Sequence, residues 1–362
     1  MADALKDRYL STDFFQQFAT DLKLAYPALD KRAFYRDCIS PLDELELMQR
    51  VSHLTRTVAS HLPNSYKKAL SVLYDLSPIL GDKLGYLFMS EFVATYGLDE
   101  YELSINALRN FTHHSSSEFA IRVFLQQDFK RTIKHMTEWT EHESEHVRRL
   151  ASEGSRPRLP WAQKLDQVIN KPSLTWPILN RLKNDSSNYV QKSVANHLND
   201  ISKDNPDWMI KKVSAWSQKN TTTKWIIKHG CRTLIKKGHA DSLHLLGYSK
   251  PNIKISPLKL SAKIIRLGET LEVGFNIKNM DNKPQKLVVD YCIDFVKKDG
   301  SLRPKVFKLK TLSVKTNEQL AVNKKHAFKA MTTRKFYPGK HRLQIIINGE
   351  RFNHCSFDLK LD

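Results

Sequence analysis

Several things are scarce in this sequence, and each scarcity removes a class of explanation. No apolar run reaches the ~18 residues of a membrane-spanning helix, so no transmembrane helix and no membrane partner are expected. The opening residues, Met1-Ala-Asp-Ala-Leu-Lys-Asp7, carry no apolar signal core, which argues against secretion. There are four cysteines, Cys38, Cys231, Cys292 and Cys355, and no CxxC pair, so a zinc ribbon is not expected and a reducing compartment is. With 12 glycines and no phosphate-cradling loop among them, no nucleotide cofactor is expected. There is no Ser-His-Asp signature and no lysine in a helix-hairpin-helix context. Acidic residues are outnumbered, 38 Asp and Glu against 58 Lys and Arg, for a net charge of +20. An excess of that size calls for an anionic partner, most often nucleic acid.

What is present falls into two parts. The 362 residues, 41% apolar and 27% charged, allow two or three globular domains. Over residues 1–250 apolar residues recur three and four apart, as in Phe14, Phe15, Phe18, Leu22 and Leu24, between short proline-bearing breaks. That spacing predicts helices of roughly 10 to 15 residues. Over residues 252–362 the pattern becomes that of about seven short strands, including Leu258–Ile264, Thr270–Ile277, Leu287–Val296, Val306–Leu312 and His326–Ala330. Asn348-Gly349 in the last segment is a strong hairpin-turn signal. This pattern predicts an immunoglobulin-like β-sandwich. It holds 23 basic and 10 acidic residues, so 13 of the 20 surplus charges lie here and an auxiliary polyanion contact is expected.

An internal repeat organises the helical part. Ser144–Glu153 aligns with Ser187–Asn196 at an offset of 43, and that segment aligns with Lys224–Arg232 at an offset of 36. Periods of roughly 36 to 47 residues belong to HEAT-like helical pairs, which stack into a solenoid because one pair cannot bury its apolar face alone. The predicted fold class is therefore mainly α, a HEAT-like solenoid followed by the sandwich. Glu153, Asn196 and Arg232 occupy matched positions and are expected to point the same way. Arg149, Lys192 and Lys228 match likewise and, with Arg148, are candidates for phosphate contacts.

The chemistry concentrates at Glu145–Trp161. Val147, Leu150 and Ala151 mark a helix. Gly154 stands where a helix end favours positive φ, and Pro160 is suited to open a new helix with Trp161 in its first turn. Glu153, Arg156, Arg158 and Trp161 are thereby crowded onto one connection. Ser115-Ser-Ser-Glu118 reads either as a capping box or as a carboxylate set at a helix start. His142-Glu-Ser-Glu-His146 matches the HExxH zinc pattern, but it is polar on every side and Ser144 looks like the N-cap of the next helix, so no metal is expected. Trp208, Trp216 and Trp225 read as core residues.

Ser117–Arg122, Arg148–Trp161, Tyr189–Asp204 and Lys236–His239 together resemble the bacterial DNA alkylation-repair glycosylases with HEAT-like repeats, the AlkC branch of the AlkC/AlkD superfamily. The resemblance covers residues 1–250, and the sandwich resembles the domain that many members carry. It implies excision of the cationic bases 3-methyladenine and 3-methylcytosine from duplex DNA by a monomeric, cofactor-free enzyme of the bacterial cytoplasm and nucleoid. It implies Glu118, Trp161 and Asp200 as catalytic residues, supported by Glu153, Arg156 and Arg158. The chemistry agrees. A base alkylated at N3 already has a weakened bond to its sugar, so the enzyme needs negative charge near the developing oxocarbenium ion and a placed water. No lysine is positioned as a nucleophile, so a strand-cleaving step is not expected. The same residues leave open a non-catalytic binder of bent or branched DNA.

Overall fold

The computed structural model describes residues 5–81, 84–217, 219–330 and 335–361. The chain packs into two compact units, Met1–Asn205 with Ser217–Gly230, and Pro206–Trp216 with Cys231–Asp362. Helix gives way to strand near residue 251, but the packing boundary lies earlier. The helices Pro206–Ser214, Arg232–Lys237 and Ala240–Leu245 group with the strands.

Among the described residues, every regular element of the first unit is a helix. Its helices start where short polar side chains can take up free backbone donors. Ser11 accepts from Phe14 N at 3.2 Å, and Asp30 accepts from Arg32 N and Ala33 N, both at 3.1 Å. Thr12–Ala25 buries Phe15, Phe18, Ala19 and Leu22 and leaves Leu24 in solvent, so its apolar stripe is narrower than the composition implied. Neighbouring helices pack in succession. Thr12–Ala25 lies against Lys31–Ile39 and Tyr66–Leu76, and Leu47–His61 against Leu87–Tyr96, which meets Tyr101–Phe111.

The repeat is real in three dimensions. The Glu145–Gly154 helix packs on Asn188–Asp204, which packs on Thr221–Gly230. The matched apolar positions Val147, Val190 and Ile226 are all fully buried. The third helix stops at Gly230, where a Cβ would stand 2.9 Å from the Leu198 Cβ. Arg232 therefore opens a separate short helix in the second unit, and the expected line of Glu153, Asn196 and Arg232 is not a line of repeat helices. Ser144 is the N-cap of the Glu145–Gly154 helix, which leaves His142 outside the helix and His146 inside it. Trp216 is buried as expected, but Trp225 is exposed and stacks on His229, with ring centroids 5.0 Å apart. Among the described residues no helix is long and apolar enough to cross a membrane.

The second unit contains the sandwich. Its strands are β1 (Ile253–Ile255), β2 (Lys259–Leu260), β3 (Ile264–Arg266), β4 (Thr270–Asn279), β5 (Gln285–Val296), β6 (Leu302–Val314), β7 (Gln319–Ala327), β8 (Gly339–Ile347) and β9 (Glu350–Lys360). β1 and β2 pair in succession along one edge of β4, and β7 pairs along the other. The facing sheet runs β3-β9-β8-β5-β6, with β3 parallel to β9 and the other pairs antiparallel. Phe275 and Val322 from one sheet share a core with Tyr291, Ile345 and Phe357 from the other.

Two strand readings are corrected. The segment Leu258–Ile264 is not one strand, because the chain crosses from the first sheet at β2 to the second at β3. The strand expected at His326–Ala330 begins earlier, at Gln319, where lysines and polar residues hide the alternation. The hairpin forms where expected. Asn348 and Gly349 take φ of 46° and 82°, and the Asn348 side chain bonds Val288 N at 2.7 Å and the carbonyls of Ser249 and Lys286 at 2.8 and 3.1 Å.

Candidate functional site

The site belongs to the first unit and is assembled from three pieces of chain. The first is the turn before the Ile121–Gln127 helix. Ser117 is fully buried and donates to the Leu108 carbonyl at 2.8 Å, which anchors the turn from below. Ser116 and Glu118, on either side of it, are thereby turned toward the second piece. Ser116 Oγ lies 2.9 Å from Glu118 Oε2 and accepts from Glu118 N at 3.2 Å. Neither a Ser115 cap nor a reciprocal capping box forms, so Glu118 is free to serve the site.

The second piece is the Glu145–Gly154 helix, whose Arg149 and Glu153 stand one turn apart on one face. Arg149 Nη1 pairs with Glu118 and donates to Ser116 Oγ at 2.6 Å, while its Nη2 lies 3.6 Å from Glu153. Gly154 ends the helix with ordinary helical φ rather than the expected positive φ. Its small size has a different cause, because a Cβ there would come within 2.5 Å of Ile121 Cγ2. The absence of a side chain lets the Glu118 and Glu153 segments approach.

The third piece is the irregular segment Ser155–Leu165. No helix opens at Pro160. Trp161 instead takes a left-handed backbone, φ 64°, and is 79% exposed. A bulky residue there costs about 1–3 kcal/mol and persists only when its surroundings hold it. They do so in part through two acidic residues of the Asn188–Asp204 helix. Asp200 and Asp204, one turn apart, meet Arg156 and Arg158, two apart in the segment. Arg156 Nε and Nη2 lie 2.8 and 2.7 Å from Asp200 Oδ2, and Arg158 Nε and Nη2 lie 2.7 and 2.6 Å from the Asp204 oxygens. Arg156 also pairs with Glu153.

The result is an alternating chain of charge, Glu118–Arg149–Glu153–Arg156–Asp200–Lys203, with Glu153, Arg156 and Asp200 buried, Glu118 and Arg149 half-buried and Lys203 exposed at its end. Burial opposes the Arg156 charge, but Glu153 and Asp200 outweigh it and hold the guanidinium above its usual range. Arg158, bonded to Asp204, is likewise held up, and Asp204 is held below the ordinary carboxylate range by Arg158. Buried ion chains stabilise little relative to apolar packing, but removing one member strands its partner and costs about 3–5 kcal/mol. The network therefore fixes geometry more than it adds stability.

Above this chain opens a cleft of about 560 Å³. Glu118, Glu153, Arg156 and Trp161 line it, with Tyr9, Met48, Phe119 and Leu159 as apolar walls. Asp200 does not line it. At 1% exposure it lies behind Arg156. Arg148 points elsewhere, bonding Asp185 at 2.7 and 3.0 Å and the carbonyls of His142 and Glu143 at 2.9 and 2.7 Å, which ties the helix start to the next repeat. The matched basic positions divide. Lys192 and Lys228 are exposed, whereas Arg149 is drawn into the charge chain and covers the Tyr189 ring at 4.9 Å. Asn196 is half-buried on the second repeat helix. Among the described residues no group of three or more His, Cys, Asp or Glu is placed to hold a metal ion.

Four further residues take roles that the sequence reading did not assign. Ser116 and Lys203 complete the hydrogen bonding of Glu118 and Asp200, and Lys203 Nζ lies 2.8 Å from Asp200 Oδ1. Arg122 is buried beneath the segment that carries Trp161. Its signal was present, as the only charged side chain in the apolar run Phe119–Leu125. His197, fully buried on the Asn188–Asp204 helix between the Ser152 carbonyl at 2.9 Å and Thr175 Oγ1 at 3.2 Å, ties that helix to the second piece. Burial pushes its imidazole down to about 3, so it is neutral.

Comparison with known proteins places this arrangement. The family model described as "DNA alkylation repair enzyme" matches residues 91–234, and one described as "Uncharacterised protein YhaZ, C-terminal Ig-like domain" matches residues 254–361. The chain is 42% identical to "Uncharacterized protein YhaZ" of Bacillus subtilis (strain 168), covering 99% of this chain and 100% of that one. It is 43% identical to a solved structure, Pseudomonas fluorescens alkylpurine DNA glycosylase AlkC bound to DNA containing an abasic site analog. The TM-score is 0.93, with 99% of this chain and 100% of that chain covered. The chain belongs to the AlkC family of DNA alkylation-repair enzymes. This AlkC family member has the expected mainly helical architecture followed by an immunoglobulin-like sandwich. Its cleft brings together four of the residues singled out from sequence, Glu118, Glu153, Arg156 and Trp161, and sets Asp200, Arg158 and Arg149 behind or beside them.

Proposed function

We propose that this chain is a DNA glycosylase that hydrolyses the N-glycosidic bond of cationic N3-alkylated bases, 3-methyladenine and 3-methylcytosine, in duplex DNA. One observation carries the reading. An exposed indole held at φ 64° shares an open cleft with the carboxylates of Glu118 and Glu153. That pairing suits a cationic leaving group. The indole face attracts a cationic base or sugar by about 0.5–2 kcal/mol. Carboxylates fixed beside the sugar stabilise the oxocarbenium ion as the bond to the base stretches.

Glu118 and Glu153 touch the reacting sugar or its attacking water, Trp161 touches base or sugar, and Arg156 sits beside them with Asp200 as its support. The described lining residues include two carboxylates and no amine, which supports water as nucleophile and a monofunctional enzyme. The net charge of +20 supports a DNA partner bound through many phosphates, with affinity that falls steeply as salt rises. Lys192 and Lys228, and Arg158 beside the cleft, are the proposed phosphate contacts, with the basic sandwich as an auxiliary surface. The likeness to AlkC, solved with an abasic-site analogue, supports the same reaction class.

The test is release of free base from methylated duplex DNA without added cofactor. Wild-type protein should liberate 3-methyladenine and 3-methylcytosine and leave an uncleaved abasic strand. Tight DNA binding with no base released would instead favour a structural DNA binder.

A further inference from the structure

We propose that Arg122 is the positioning residue that holds Trp161 at the mouth of the cleft by clamping both stems of its loop. The inference rests on the reading above that Trp161 meets the lesion. Trp161 needs a holder, because an indole-bearing residue does not adopt φ 64° unaided. The loop supplies little of its own. Leu165 N donates to Pro157 O at 3.1 Å and Ala162 N to Leu159 O at 3.3 Å. Arg156 and Arg158 fasten only the entering stem, through Asp200 and Asp204.

Arg122 reaches both stems. It stands in the first turn of the Ile121–Gln127 helix, 4% exposed, under the loop. Its Nη1 donates to the Gly154 carbonyl at 3.0 Å and the Arg156 carbonyl at 2.8 Å, on the way in. Its Nη2 donates to the Gln163 carbonyl, on the way out. Gln126, one turn further along, reinforces the exit with a 2.9 Å bond to Gln163 Oε1.

All three acceptors of Arg122 are backbone carbonyls, so the group pins the main chain whatever side chains the loop carries. A planar fork can span two stems at once, and an ammonium cannot match that geometry. Burial pulls the guanidinium down to about 10, which leaves it charged at neutral pH. Arg122 does not line the cleft, so it acts through Trp161 and not on substrate.

The test uses full-length protein labelled with 5-fluorotryptophan, with the Trp161 resonance assigned from Trp161→Phe. In DNA-free Arg122→Lys and Arg122→Ala the Trp161 fluorine line should shift and broaden while the other tryptophan lines hold. Single-turnover release of 3-methyladenine should fall about 10- to 100-fold with duplex affinity within about twofold, since misplacing a contact by about 1 Å costs rate on that scale. Methylguanidinium should restore part of the rate in Arg122→Ala and none in Trp161→Ala. If Arg122→Ala does not fold, the lysine variant carries the test. An unmoved Trp161 line in a folded variant overturns the clamp. A moved line with undiminished release supports the clamp and overturns the lesion-contact role of Trp161.

Discussion

Arg156 and Asp200, 44 residues apart, are joined by a 2.8 Å hydrogen bond from Nε and a 2.7 Å ion-pair contact from Nη2 to a single carboxylate oxygen, and the pair is buried. The other Asp200 oxygen is taken by Lys203 at 2.8 Å. Asp200 is thus spent on orienting Arg156 at the cleft floor. A direct approach to a bound nucleotide would require Arg156 to move. Asp200→Asn should therefore act mainly through structure. It should lower stability by about 2–4 kcal/mol, because Arg156 and Lys203 lose a charged acceptor. Denaturant unfolding of the variant measures this, and a loss under about 0.5 kcal/mol would contradict the assignment.

Gly154→Ala reverses an ordinary expectation. In a helix at normal φ, alanine is better than glycine by about 1 kcal/mol. Here the new Cβ would meet Ile121 Cγ2 at 2.5 Å and the Met136 Cε at 3.2 Å. The substitution should destabilise by about 1–3 kcal/mol and slow base release, because it pushes the Glu118 turn away from the Glu153 helix. Equilibrium unfolding together with single-turnover kinetics checks both parts.

Replacements of Trp161 separate the backbone from the indole. Both Trp161→Gly and Trp161→Ala remove the ring and should lose most of the excision rate while duplex affinity changes little. Only alanine must keep a side chain at φ 64°. The glycine variant should be more stable than the alanine variant by about 1 kcal/mol. Equal stability of the two would show that the left-handed conformation is not maintained in solution.

Asp290 gives the second unit a pH dependence of known sign. Burial pushes its carboxyl from 3.8 up to about 6, partly offset by Lys308 and Lys236. Between those values the folded chain keeps a proton that the unfolded chain has lost. Stability from this group is therefore greatest below about pH 4, declines as pH rises through 6, and stays reduced above it. The cost at pH 7 is about 3 kcal/mol as an order of magnitude. Asp290→Asn should stabilise the protein at pH 7–8, and its advantage should vanish as pH falls toward 4. Urea unfolding of both proteins across that range checks it.

Much of this was legible in the residues. Apolar spacing found the helices, and offsets of 43 and 36 found three helices that pack in succession. Asn348-Gly349 found the hairpin because a turn with two positive φ values demands those residue types. Glu118, Glu153, Arg156 and Trp161 do share one cleft. What was hidden depends on tertiary context. A tryptophan does not announce positive φ, so a helix start was read at Pro160. The need for glycine at 154 comes from Ile121, 33 residues away, and not from its own backbone. Asp200 faces Arg156 and Trp225 faces solvent because of what packs beside them, which periodicity along one helix does not encode.

The most direct test of the account is single-turnover release of 3-methyladenine from duplex DNA by wild-type protein and by Glu118→Gln, with duplex affinity measured on the same preparations. The account predicts base release by wild type, a loss of about 100-fold or more in the variant, and affinities within about twofold. Release by the variant at the wild-type rate would contradict the placement of the reaction in this cleft, and absence of release by wild type would contradict the reaction itself.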